Sequence, residues 1–69
     1  MKPDWKDAPE WAKWLAMDED GEWFWFKSRP RLNKQGAVWI ADDNDTVYAG
    51  MNDFHHRDSL EQRPENSHP

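Results

Sequence analysis

The 69-residue chain reads as a single α+β domain over residues 1–62, an N-terminal helix packed on a three-stranded antiparallel meander, with a flexible tail at 63–69. Three observations predict it. Residues 8, 11, 12, 14 and 15 are apolar at helical spacing behind a capping-box pattern. Three short segments of strand-forming residues then alternate with Asp- and Gly-containing turns. Finally, residues 61–69 hold two prolines and no apolar side chain other than those prolines.

The helix is expected over 8–17. Asp7 and Glu10 stand three apart, as in an acidic capping box, and Pro9 in the first turn gives up an N–H that would be unpaired anyway. Ala8, Trp11, Ala12, Trp14 and Leu15 form its inner stripe and Lys13 faces water. Three acids, Asp18, Glu19 and Asp20, oppose the macrodipole at its end, and Gly21 suits a left-handed turn. The first strand, residues 22–27, puts Trp23 and Trp25 on one face and Phe24 and Phe26 on the other. A strand apolar on both sides belongs inside a sheet, or between a core and a partner. Residues 28–36 read as a basic hairpin loop, 37–41 as the second strand, 42–45 as a turn and 46–50 as the third strand. A short helix is expected over 52–60, pinned at the edge by Phe54 and Leu60.

Composition bounds the function. One small domain of 8.3 kDa argues against a multidomain enzyme. A net charge of −5 argues against a general grip on duplex DNA or anionic membrane. With no cysteine there is no disulfide framework and no thiolate metal or redox site. No apolar run has the length of a membrane span, and the first residues lack the apolar stretch of a signal peptide, so a soluble cytoplasmic protein is expected. Ten aromatics against six Leu, Ile and Val mean that the core is built mostly from rings.

Charge is segmented along the chain. Residues 27–37 carry Lys27, Arg29, Arg31 and Lys34 and no acid, while the flanking segments are acidic. In a meander, the turns at 18–21 and 42–45 fall at one end of the sheet and the basic loop at the other. Asp18, Glu19, Asp20, Asp42, Asp43 and Asp45, with Glu22, then make an acidic pole suited to docking on a basic groove. The ordinary reading of such a pole is solubility for a Trp-rich chain.

Other candidates are weaker. The run Asp18-Glu19-Asp20-Gly21 opens like a calcium loop but lacks the distal acidic ligand, so a solvated turn is preferred and no metal or cofactor is expected. Adjacent His55 and His56 point apart and cannot share one ion. His56, Asp58 and Ser59 lack the setting of a nucleophile, so no catalytic residue is assigned. Trp23, Trp25, Phe24 and Phe26 with Arg29 and Arg31 suggest a protein-binding patch or, less readily, a platform for single-stranded nucleic acid. Packing into a second small core is the ordinary alternative.

The pattern Asp4-Trp5, Asp7-Ala8-Pro9-Glu10-Trp11-Ala12, Ala16, residues 18–21, Trp39 and Ser59-Leu60-Glu61-Gln62-Arg63-Pro64 resembles a family of short phage and prophage reading frames. His56 stands where that pattern carries Trp. The resemblance implies a bacteriophage accessory protein acting inside a bacterium and transfers no catalytic residue. The leading expectation is therefore a non-enzymatic phage protein that binds a bacterial host protein and inhibits a nuclease or defence complex through its acidic surface. An accessory nucleic-acid-binding protein is the first alternative. A small structural or assembly protein that dimerises through its sheet is the second.

Overall fold

The computed structural model describes residues 2–43, 45–51 and 59–64. Six strands are present among them: β1 (Trp14–Met17), β2 (Glu22–Phe26), β3 (Arg31–Leu32), β4 (Trp39–Ile40), β5 (Thr46–Met51) and β6 (Glu61–Gln62). The main sheet has the order β5-β2-β1-β6 and is antiparallel throughout, while β3 and β4 pair separately as a small hairpin. No helix among the described residues is long and apolar enough to cross a membrane.

The expected N-terminal helix is not formed, and the fold is mostly antiparallel sheet rather than α+β. A single 3-10 turn at Trp5–Asp7 is the only helical element among the described residues, and Asp4, not Asp7, caps it by accepting from the Lys6 N–H at 3.0 Å. Ala8 is extended at φ −74°, ψ 146°, as a residue before proline prefers. The apolar run of residues 14–17 becomes strand β1. A helix of nine or ten residues would be marginal on its own, whereas β1 is hydrogen-bonded on both sides, by β2 and by β6. Leu15, Ala16 and Met17 are all buried. A strand covered on both faces needs an unbroken apolar run, which helical spacing mimics over so short a window. The acids after it end no helix; they form the turn of a β-hairpin. Asp18 N–H donates to the Glu22 carbonyl at 2.8 Å and Gly21 N–H to the Asp18 carbonyl at 3.0 Å, with Gly21 at φ 91°.

The three-stranded meander is also revised. Strand β2 is interior, as its two apolar faces require, but its neighbours are β1 and β5. Residues 37–41 supply β4, which pairs with β3 inside the loop expected at 28–36. Asn33 closes that hairpin: its N–H donates to the Val38 carbonyl and its side chain accepts from the Ala37 N–H, both at 2.9 Å. The short helix expected over 52–60 lies outside the described residues except for Ser59 and Leu60.

Residues opposite one another in an antiparallel pair share a face. Leu15, Met17, Trp23 and Trp25 therefore line one face, where the N-terminal segment covers them with Trp5, Ala8 and Ala12. The Trp5 and Trp25 rings meet at 4.9 Å. Trp14, Ala16, Phe24 and Phe26 line the other face, with Phe24 edge-on to Tyr48 at 5.7 Å and the Arg29 guanidinium 5.0 Å above Trp14.

The closing segment ties the edges together. Glu61, on β6, accepts from the Trp5 indole and from Lys2. Arg63, at the start of the expected tail, is docked: its N–H donates to the Lys13 carbonyl, Nη1 reaches the carbonyls of Pro9, Glu10 and Ala12, and its guanidinium lies 5.6 Å from the Trp5 ring centre.

Candidate functional site

The turn between β1 and β2 and the β3–β4 hairpin come together at one end of the sheet. Asp18, immediately after β1, is buried and its Oδ1 accepts the Trp39 N–H at 2.9 Å. The Trp39 indole donates to the Met17 carbonyl at 3.0 Å, and Glu19 N–H donates to the Ala37 carbonyl at 2.7 Å. Three hydrogen bonds thus clamp the hairpin onto the turn, one through a buried carboxylate. Between the two elements lies an open groove of about 410 Å³, lined by Asp18, Glu19, Asp20, Ala37 and Val38. Ala37 and Val38 give it an apolar side, with exposed Ile40 two residues along the same hairpin, and exposed Glu19 and Asp20 give it an acidic one.

The carboxylates here repel one another. Burial raises the Asp18 carboxyl above the ordinary Asp range; the Trp39 N–H pulls the other way and the Asp20 charge adds to the rise. The charge of Asp20 is the main cause that raises Glu22 as well. Among the described residues, Glu19, Asp20 and Glu22 take part in no ion pair. Nor do three or more acids or histidines among those residues converge as metal ligands.

Asp42, Asp43 and Asp45 do not join them. Because β5 runs antiparallel to β2 with Thr46 opposite Phe26, Asp45 sits beside Lys27 at the far end of β2. The expectation of one acidic pole opposed by a basic one is therefore corrected: the basic loop lies against its own acids. Arg31 pairs with Asp42 at 2.7 Å, Lys27 with Asp45 at 3.7 Å, and Ser28 donates to Asp43. The acidic site that stands apart is Asp18, Glu19 and Asp20 with Glu22.

The aromatic set is dispersed in the same way. Trp23, Trp25 and Phe26 are buried, Phe24 is half-buried against Tyr48, Arg29 covers Trp14, and Arg31 is engaged by Asp42. These rings build the two faces of the sheet and offer no row of open stacking surfaces. Ser59 serves the backbone: its Oγ accepts from Met17 N–H at 2.7 Å and donates to the Met17 carbonyl at 3.2 Å, extending the pairing to β1 just before β6 begins. His55, His56 and Asp58 lie outside the described residues.

Sequence reasoning missed Ala37, Val38 and Trp39 as parts of the site. The available signal was Asn33 three residues before Gly36, a turn pattern that folds residues 31–40 on themselves and leaves Trp39 free to anchor elsewhere. No protein-family model, no curated protein and no solved structure matches this chain.

Proposed function

We propose that this chain is a non-catalytic, phage-encoded protein that works in the bacterial cytoplasm by docking a host protein in the groove between the β1–β2 turn and the β3–β4 hairpin. One observation carries the reading: apolar Ala37 and Val38 lie beside exposed Glu19 and Asp20, which no described lysine or arginine neutralises. Such a surface complements a basic segment with apolar side chains between its charges. The carboxylates speed encounter and fix orientation, while the apolar side supplies desolvation. A nucleic-acid-binding groove of a host nuclease or defence complex has that chemistry, and blocking it is the inhibitory form of the proposal. The clamp through Trp39 favours a preorganised site, which lowers the ordering cost of binding.

The test is capture of partners from nuclease-treated bacterial lysate by the tagged chain, read by mass spectrometry. One nuclease-resistant protein is expected, lost when Glu19→Lys and Asp20→Lys are combined and retained when Asp42→Asn and Asp45→Asn are. Capture that survives the first pair overturns the reading. Recovery of nucleic acid alone, abolished by nuclease, also overturns it and favours an accessory nucleic-acid-binding role.

A further inference from the structure

Among the described residues, strand β5 is an edge whose outer side is unpaired. The order β5-β2-β1-β6 leaves no described strand beyond it. The Lys27 N–H donates to the Asp45 carbonyl at 3.2 Å, and Trp25 lies opposite Val47 in the same register. Hydrogen bonding in an antiparallel ladder alternates, so Asp45 and Val47 turn their backbone groups toward β2 while Thr46 and Tyr48 turn theirs away. Among the described residues this edge is exposed: Val47, Tyr48 and Met51 are 44%, 53% and 60% exposed.

Edges are normally blunted by lysine, proline, short length or a bulge. The other edge, β6, follows that rule, being two residues long with Arg63 and Pro64 directly after it. The Thr46–Met51 strand is six residues long and contains no Lys, Arg or Pro. Its one protective device is a bulge, where the ladder slips from Trp23 opposite Gly50 to Phe24 opposite Tyr48, leaving Ala49 extra. The bulge confines flat pairing to the first half of the strand.

We infer that β5 pairs antiparallel with β5 of a second copy about a two-fold axis at Val47, joining two sheets into one. This register is selected by the residues. The outward N–H and C=O groups of Thr46 meet those of Tyr48 in the second copy, and the reverse, so both outward residues are satisfied. Centring on Tyr48 instead would set Thr46 opposite Gly50, inside the bulge. Centring on Thr46 would draw the two acidic 42–45 turns toward each other. Centring on Val47 places Asp45 opposite Ala49, keeps those turns at opposite ends of the shared edge, and makes a β-branched Val47–Val47 cross-strand pair. On the other face, Tyr48, which already packs edge-on against Phe24, comes to lie opposite Thr46 of the second copy. A single short edge buries less than a standard interface, so the dimer belongs to the weak, concentration-dependent class.

The test is sedimentation equilibrium of the full chain from about 10 µM to about 1 mM, the range in which a small interface associates. The mass is expected to rise from 8.3 kDa toward twice that value. Val47→Lys, which opposes two charges at the axis, and Thr46→Pro, which removes an outward N–H, are each expected to hold it at 8.3 kDa. Register is read separately. A non-hydrogen-bonded pair has its Cα atoms about 4.5 Å apart, within disulfide reach. Since the chain has no other cysteine, Val47→Cys should cross-link readily under mild oxidation and exposed Met51→Cys should not. A wild-type mass fixed at 8.3 kDa throughout, association undiminished in both variants, or equal cross-linking of the two cysteine variants would each overturn the inference.

Discussion

Replacing Arg63 by alanine tests whether the closing segment holds the N-terminal segment on the sheet. Its Nη1 lies 3.0 Å from the Pro9 carbonyl, 3.2 Å from that of Glu10 and 2.9 Å from that of Ala12. One nitrogen carries two hydrogens, so the three contacts amount to about two full charge-assisted bonds, at about 1.5 kcal/mol each by the conservative figure. Stacking on Trp5 adds about 0.5 kcal/mol. Arg63→Ala should therefore cost about 3.5 kcal/mol. A domain of this length holds only about 3.5–10 kcal/mol in total, so the loss is a third of its stability or more. At about 4–8 °C per kcal/mol for a chain of this size, Tm should fall by roughly 14–28 °C. Arg63→Lys, with a compact ammonium and no planar face, should lose about half as much. Thermal and urea unfolding followed by tryptophan fluorescence would measure both. If Arg63→Ala melts within about 4 °C of wild type, the guanidinium is dispensable and the backbone ladder between β1 and β6, with the Arg63 N–H to Lys13 bond, is what anchors the end.

Substitutions at three further residues test two single contacts and one backbone conformation. Asp18 has its folded carboxyl raised, so the unfolded chain releases that proton first, and Asp18 makes stability fall as pH rises from the ordinary value of 3.8 through the raised one. Asp18→Asn keeps an acceptor for Trp39 N–H and should flatten that slope and be at least as stable at pH 7; Asp18→Ala should lose about 1–2 kcal/mol in urea titrations. At Glu61 burial favours the neutral form, but donation from Lys2 and Trp5 outweighs it and lowers the carboxyl, so its stabilisation is present above 4.5 and fades as pH falls through the lowered value. Glu61→Gln should cost about 1 kcal/mol at pH 7, allowing for solvent screening at half-exposed Lys2, and should narrow to nothing in acid melts. Gly50 in the bulge has φ 138°, and an added Cβ would meet nothing within 4 Å. Gly50→Ala should thus lose about 1–2 kcal/mol from backbone strain alone, visible as a lower urea midpoint with an unchanged slope.

Local chemistry was legible in the chain. Residues 22–27 read as a strand apolar on both faces, either inside a sheet or between a core and a partner, and Gly21 after three polar residues read as a reversal. The acids at 18–20 were recognisable as a charged turn. Residues 14–17 were misassigned because four consecutive apolar residues satisfy a helix stripe and a doubly buried strand equally, and only the partner can choose between them. The pairing partner of β1 on its outer side is β6, more than forty residues away in a segment with no apolar signal of its own.

The sequence by itself determined the ring-built core, the absence of any thiol, the excess of negative charge and the reversal at residues 18–21, all of which depend on residue type and near neighbours. Tertiary structure decided which acids stand together. Asp42 and Asp45 face Arg31 and Lys27 while Glu19 and Asp20 face Val38 across an open groove, because strand order, unlike turn position, is set by long-range pairing whose free energy no local pattern contains.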